Sequence, residues 1–166
     1  MTRPDIANAV SAVARQAHDP AERHWRAVRK IIAYLNKTKD LGLVFVKGGD
    51  LKLSVYVDAD YAKKDNDKRS VSGVAVMVGD TALNASSTTQ HCVALSTSEA
   101  EYVAMAQGAK TALFTKPVLD FMQSGIVRET IDLFEDNQGA IAIAETRLAG
   151  DVLSTLTSVT TLSESW

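Results

Sequence analysis

Cysteine and histidine are sparse in this chain, and each shortage removes a class of protein. A single cysteine, Cys92, excludes an internal disulfide framework and suits a reducing compartment. Nothing beside it would activate a thiol, so Cys92 is expected to be a small buried apolar residue. The three histidines, His18, His24 and His91, are scattered without ligand spacing, which argues against a zinc centre. No apolar run approaches the ~20 residues needed to span a bilayer. The start, Met1-Thr2-Arg3-Pro4-Asp5, lacks the apolar stretch of a secretory signal. The expectation is a soluble intracellular protein with no membrane contact and no small-molecule cofactor. A net charge of -2, from 18 basic and 20 acidic side chains, provides no global field for nucleic acid. Any such contact needs a local basic patch.

What is present describes a folded domain. Hydrophobic residues make up 46% and charged residues 23% of the 166, enough to build one core, with room for a fragment of another domain. Ile6, Val10, Val13 and Ala14 recur at helical spacing. Asp19-Pro20-Ala21-Glu22 reads as a helix start, with Asp19 as the cap, and Trp25, Val28, Ile32 and Leu35 form the stripe that follows. His24 and Trp25 are expected to pack at that helix surface. Residues 41–46 read as a short strand.

From residue 51 the period changes. Leu51, Leu53, Val55 and Val57 alternate with Lys52, Ser54, Tyr56 and Asp58, which predicts a strand. A polar loop over 61–69, a strand over 71–78 and a shorter one over 81–85 follow, with Val93 and Leu95 as a possible continuation. Ser96-Thr97-Ser98-Glu99 has capping-box spacing and opens a helix toward Met122, which Pro117 should kink or split. Residues 131–134 make a buried strand, and 138–144 start another helix. Strands in series, then helix, strand and helix, imply an α/β mixed sheet with packed helices. The Ser/Thr-rich stretch 151–166 carries no basic residue and is assigned no regular structure.

Three acids fall where a sheet-based metal site would need them: Asp58 ending the first strand of the sheet, Glu101 early in the long helix, and Asp136 closing a buried strand. Clustered carboxylates repel one another until a divalent cation offsets their charge. On spacing alone, solvated surface acids account for them better than a metal site does. Asp58 and Asp60 share one side of a strand. Glu99 and Glu101 lie about 200° apart on a helix, and Glu99 already serves the capping box. Glu101 continues through Met105, Gly108 and Ala112 toward the packed side.

Ordered blocks sharpen this reading. Tyr56-Val57-Asp58-Ala59-Asp60-Tyr61-Ala62 with Lys68-Arg69-Ser70-Val71-Ser72-Gly73, then Val93 through Tyr102 with its Ser98-Glu99-Ala100-Glu101 centre, then Asp136-Asn137-Gln138-Gly139-Ala140-Ile141, resemble the ribonuclease H domain of Ty1/copia-type retrotransposon polyproteins. Upstream, Arg3-Pro4-Asp5-Ile6, His24-Trp25 and Tyr34-Leu35 resemble the end of the reverse transcriptase that precedes that domain. The resemblance spans residues 3 to 145. It implies a ribonuclease H-like fold, with residues 1–46 as a reverse transcriptase tail and 51–145 as an incomplete ribonuclease H-like domain. It also implies cleavage of RNA in RNA–DNA hybrids by two-metal hydrolysis with Mg2+ (or Mn2+). Carried over by motif, Asp58 bridges the metals, Glu101 binds one and Asp136 supports the other. Lys63, Lys64, Lys68, Arg69 and Asn137 are weaker candidates for nucleic-acid contact, a solvated loop being the alternative for the four basic residues.

The family continues with a basic stretch and a fourth carboxylate motif, and neither occurs in residues 146–166. Restoring one nucleotide after the Glu145 codon lets that tail be read as such a stretch, so it is expected to be an out-of-frame, disordered tail. Activity is then expected to be impaired or lost, and a non-catalytic nucleic-acid-binding or protein-interaction remnant is the alternative.

Overall fold

The computed structural model describes residues 3–47, 52–62, 68–122, 131–147 and 156–161. Its centre is a five-stranded mixed sheet in the order β3-β2-β1-β4-β5. Strands β1 (Leu53–Asp60), β2 (Val71–Val78) and β3 (Thr81–Thr89) form an antiparallel meander, while β4 (Ile131–Glu135) runs parallel to β1 and β5 (Leu156–Thr161) parallel to β4. This is the α/β mixed sheet with packed helices that the sequence implies.

Alternation decides which face each strand buries. In β1 the side chains of Leu53, Val55, Val57 and Ala59 are buried and those of Tyr56, Asp58 and Asp60 are exposed, as a period of two requires. Helix α3 (Thr97–Met122) covers the apolar face with Ala100, Ala104, Met105, Ala109 and Ala112, and α4 (Gln138–Arg147) packs beside it. Small residues on α3 let it lie close to the sheet. A Cβ at Gly108 would sit 2.4 Å from Val57 Cγ1 and 3.2 Å from Val55 Cγ1, so only glycine fits at that crossing.

Helix α1 (Ala7–Ala14) packs on β3, where the Ser11 hydroxyl donates to the Ser87 carbonyl. Helix α2 (Glu22–Lys37) buries no side chain completely and touches chiefly α1. The upstream blocks converge here. The Arg3 guanidinium bonds both oxygens of Asp5 (3.0 and 2.8 Å) and the Thr38 carbonyl (3.0 Å), and the Tyr34 hydroxyl donates to Asp5 (2.9 Å).

Several local expectations change. Helix α2 starts at Glu22 rather than after Asp19, and His24 Nδ1 accepts the Ala21 N–H at 2.9 Å; His24 thus caps the helix, while Trp25 is 57% exposed instead of packed. Residues 41–46 form no strand and are largely exposed. Strand β3 extends to Thr89 because its Ser/Thr half pairs with β2 through backbone bonds, which an apolar pattern does not report. Val93 and Leu95 lie in an exposed connection, and Cys92 is exposed, not buried. Helix α3 continues through Pro117. The ring removes one N–H, and it does so in a stretch where Phe114, Phe121 and Met122 project into solvent. Residues 156–161, where no element was expected, form β5.

Candidate metal centre

The carboxyl ends of β1 and β4 and the first turns of α3 meet at one end of the sheet. Tyr56 pairs with Phe134, so Asp58 and Asp136, each two residues further along, reach that same end. In open sheets of this kind the carboxyl ends of parallel strands are where ligands bind. Glu101 arrives from α3. The start of that helix is fixed by the Ser96 hydroxyl, which accepts the Glu99 N–H at 3.2 Å, and by Glu99, which accepts the Leu95 N–H at 2.7 Å. Glu99 therefore serves the cap, and Glu101 faces inward at 4% exposure.

The structure brings two of the three expected acids together and adds one. Carboxylate oxygens of Glu101, Glu135 and Asp136 lie within 4.8 Å of one another, the one such group among the described residues. Glu135 is fully buried, Glu101 nearly so, and Asp136 is exposed at the rim. Asp58 falls outside this group, although its charge contributes to the field at Glu101. Asp58 and Asp60 both line a cavity of about 520 Å³ on the opposite, open face, with Tyr56, Ser86, Ser87 and Asn8.

Burial and crowding hold protons on this cluster. Glu101 is pushed up to about 8, first by desolvation and then by the charges of Glu135, Asp58 and Asp136, against a backbone hydrogen bond from Ala59. Desolvation also raises Glu135, with bonding and charge from Asp136 adding to it and the Asn137 backbone N–H opposing it. One oxygen of each buried glutamate, Glu101 Oε2 and Glu135 Oε2, has no hydrogen-bond partner. An orphaned buried oxygen is costly. Hard oxygen donors without protein partners are what Mg2+ or Mn2+ requires, so the residues present fit a divalent cation.

Supporting residues complete the picture. Glu135 Oε1 accepts the N–H groups of Asp136 (3.1 Å) and Asn137 (3.0 Å). Asn137 caps α4 by accepting the Ala140 N–H at 3.0 Å and binds the Ser98 hydroxyl at 3.1 Å, so its side chain already joins α4 to α3. Gly139 allows that junction, since a Cβ there would sit 2.7 Å from Ser98 Oγ. Gln90 was not anticipated. Its Nε2 donates to Ser72 Oγ (2.9 Å) and to the Ala100 carbonyl (2.8 Å), bracing the residue before Glu101. Lys68 and Arg69 are exposed at the edge of the loop, and Lys63 and Lys64 lie outside the described residues.

The acidic end of this mixed α/β sheet leaves buried carboxylate oxygens open to a hard cation. No family model matches the chain. It is 37% identical over 144 residues to the retrovirus-related Pol polyprotein from transposon TNT 1-94 of Nicotiana tabacum, covering 87% of this chain and 11% of that polyprotein. It is also 37% identical over 114 residues to the secreted RxLR effector protein 161 of Plasmopara viticola, covering 69% of this chain and 80% of that protein. RNase H1 from the halophilic archaeon Halobacterium salinarum NRC-1 aligns over 67% of this chain and 85% of its own, at 18% identity and a TM-score of 0.44. Over 63–87% of its length the chain is similar to retrovirus-related Pol polyproteins of transposons, of which it spans 7–11%.

Proposed function

We propose that this chain binds Mg2+ or Mn2+ at the sheet end where Glu101 and Asp136 meet, with Asp58 at its rim, and cleaves the RNA strand of an RNA–DNA hybrid, less effectively than complete family members. The observation that carries the reading is the trio of carboxylates within 4.8 Å of one another, two of them with a buried oxygen lacking any partner. When bound, the cations would supply Lewis-acid stabilisation of the charge that develops on a scissile phosphate.

The chain's own residues prepare for that. Without a cation, Glu101 and Glu135 hold protons, which they would give up in holding one. Asp58 and Asp136 contribute charge at the rim of the same sheet end. Gln90 and Asn137 fix the backbone on either side, and the exposed Lys68 and Arg69 would meet a phosphate backbone. The reduced rate follows from the tail, since residues 146–166 hold no fourth-carboxylate motif. In this reading residues 1–46 derive from the reverse transcriptase segment of the same polyprotein, 51–145 are the ribonuclease H-like domain, and 146–166 are an out-of-frame tail. An intracellular location follows from that origin.

The test uses purified full chain, a labelled RNA–DNA hybrid, and matched single-stranded RNA and DNA duplex. Metal-dependent cutting confined to the hybrid, abolished by Asp58→Asn and by Glu101→Gln, is the expected result. Salt-sensitive binding without cutting would instead favour a nucleic-acid-binding remnant. The observation on that side is the partly exposed Tyr56 ring stacked on Phe134 at 4.7 Å on the open face, an arrangement on which a base can also stack. Neither cutting nor binding overturns both readings.

A further inference from the structure

We propose that Glu135 is itself a ligand in the cation site, a carboxylate beyond the three that the motifs supply. The inference rests on the proposed function, because it concerns the same centre.

Three observations single it out. Glu135 is fully buried, and one of its oxygens lies within 4.8 Å of oxygens of both Glu101 and Asp136. A structural role accounts for one oxygen only: Oε1 takes the N–H groups of Asp136 and Asn137 and so shapes the turn into α4. Oε2 is buried with no partner. A side chain needed only for the turn would be served by a glutamine, whose amide oxygen accepts the same two bonds and whose remaining group is a donor. Two orphaned carboxylate oxygens, from Glu101 and Glu135, face a shared problem that a donor side chain would not pose. A divalent cation resolves it by accepting both. Placement follows from the strand: Ile131, Leu133 and Glu135 are the buried, alternate positions of β4. The two apolar members pack in the core, and the third carries a carboxylate to the sheet end where Glu101 arrives.

Direct Mn2+ binding to the full chain, followed by electron paramagnetic resonance and calorimetry, tests this apart from catalysis. Glu135→Gln, which preserves the turn, should lower Mn2+ affinity by about tenfold or more, the range over which metal-site changes act. Glu135→Asp, which keeps the charge but withdraws the oxygens by one methylene, should lower it too. The exposed Glu145→Gln should leave affinity unchanged. Wild-type affinity in Glu135→Gln overturns the inference, and full affinity in Glu135→Asp overturns it in favour of a field effect. If both variants fail to fold, Mg2+ titration of wild-type protein labelled at glutamate carboxyl carbons decides: a Glu135 shift tracking saturation supports ligation, and a silent Glu135 sinks it. Failure of the broader reading looks different, since the wild-type chain would then bind no Mn2+ and Glu101→Gln would change nothing.

Discussion

Without divalent cations, this protein should lose stability as pH rises from about 5 to 8, the opposite of the usual carboxylate behaviour. Glu101 carries the argument. Its folded-state value of about 8 stands above the ordinary 4.5 because the folded chain buries it among Glu135, Asp58 and Asp136. A group raised on folding binds its proton more tightly in the folded state. It therefore contributes stability that is complete below about 4.5 and is lost as pH climbs through about 8. Undiscounted, that gap corresponds to ~5 kcal/mol at 1.36 kcal/mol per tenfold change. Water at the open rim beside Asp136 screens the cluster, and about 1–2 kcal/mol is the working figure. For a chain of this length that is a fall in Tm of about 3–6 °C. The assay is thermal unfolding in a chelator at stepped pH, then with Mg2+ or Mn2+ added. Cation at a hundredfold its Kd should restore about 2.7 kcal/mol at pH 8, and much less near pH 5, where protons compete for the same oxygens. Glu101→Gln should flatten the chelator profile. A wild-type profile that is already flat, or that rises with pH, would refute the reasoning.

Two packing predictions stand on narrower ground. Gly108→Ala would drive a methyl to 2.4 Å from Val57 Cγ1. Overpacking at about 1–3 kcal/mol, less the helix propensity gained by alanine, leaves a loss of about 1–2 kcal/mol in urea titration; an unchanged midpoint would show that α3 can lift from the sheet freely. Asn137→Ala removes the cap of α4 and its bond to Ser98, which should cost about 1 kcal/mol. Hydrogen exchange should quicken at the Ala140 amide before the rest of the core, and uniform exchange would contradict the cap assignment.

Local periodicity made much of the fold legible, and nonlocal pairing hid the rest. The alternation around Val55 and Val57 named both β1 and its buried face, and the stripe Glu101, Met105, Gly108, Ala112 named the face of α3 that packs. Both are properties of single elements. Strand β5 is held by its ladder to β4, and a ladder leaves no period in a Ser/Thr-rich tail. The failed strand at 41–46 is the converse: its residues suit a strand, yet they pair with none. Pro117 suggests a break because an isolated helix tolerates it poorly; α3 nevertheless continues past it, with its upstream half packed on the sheet.

The carboxylates give the sharper case, because the same period-two rule that located the strands also ranks the acids. Counting from Ile131 and Leu133, Glu135 must face inward; counting from Val55 and Val57, Asp58 must face outward. Strand position and motif resemblance together pick out Asp58 and pass over Glu135, since a motif compares residues at matched positions and is silent on the one beside them. The strand geometry reverses that order of burial: Glu135 is enclosed with Glu101, and Asp58 faces the open side with Asp60. Asp58 can then serve the centre only from the rim. Substituting it should alter how substrate and cation are held there, with smaller effect on metal-free stability than a change at Glu101.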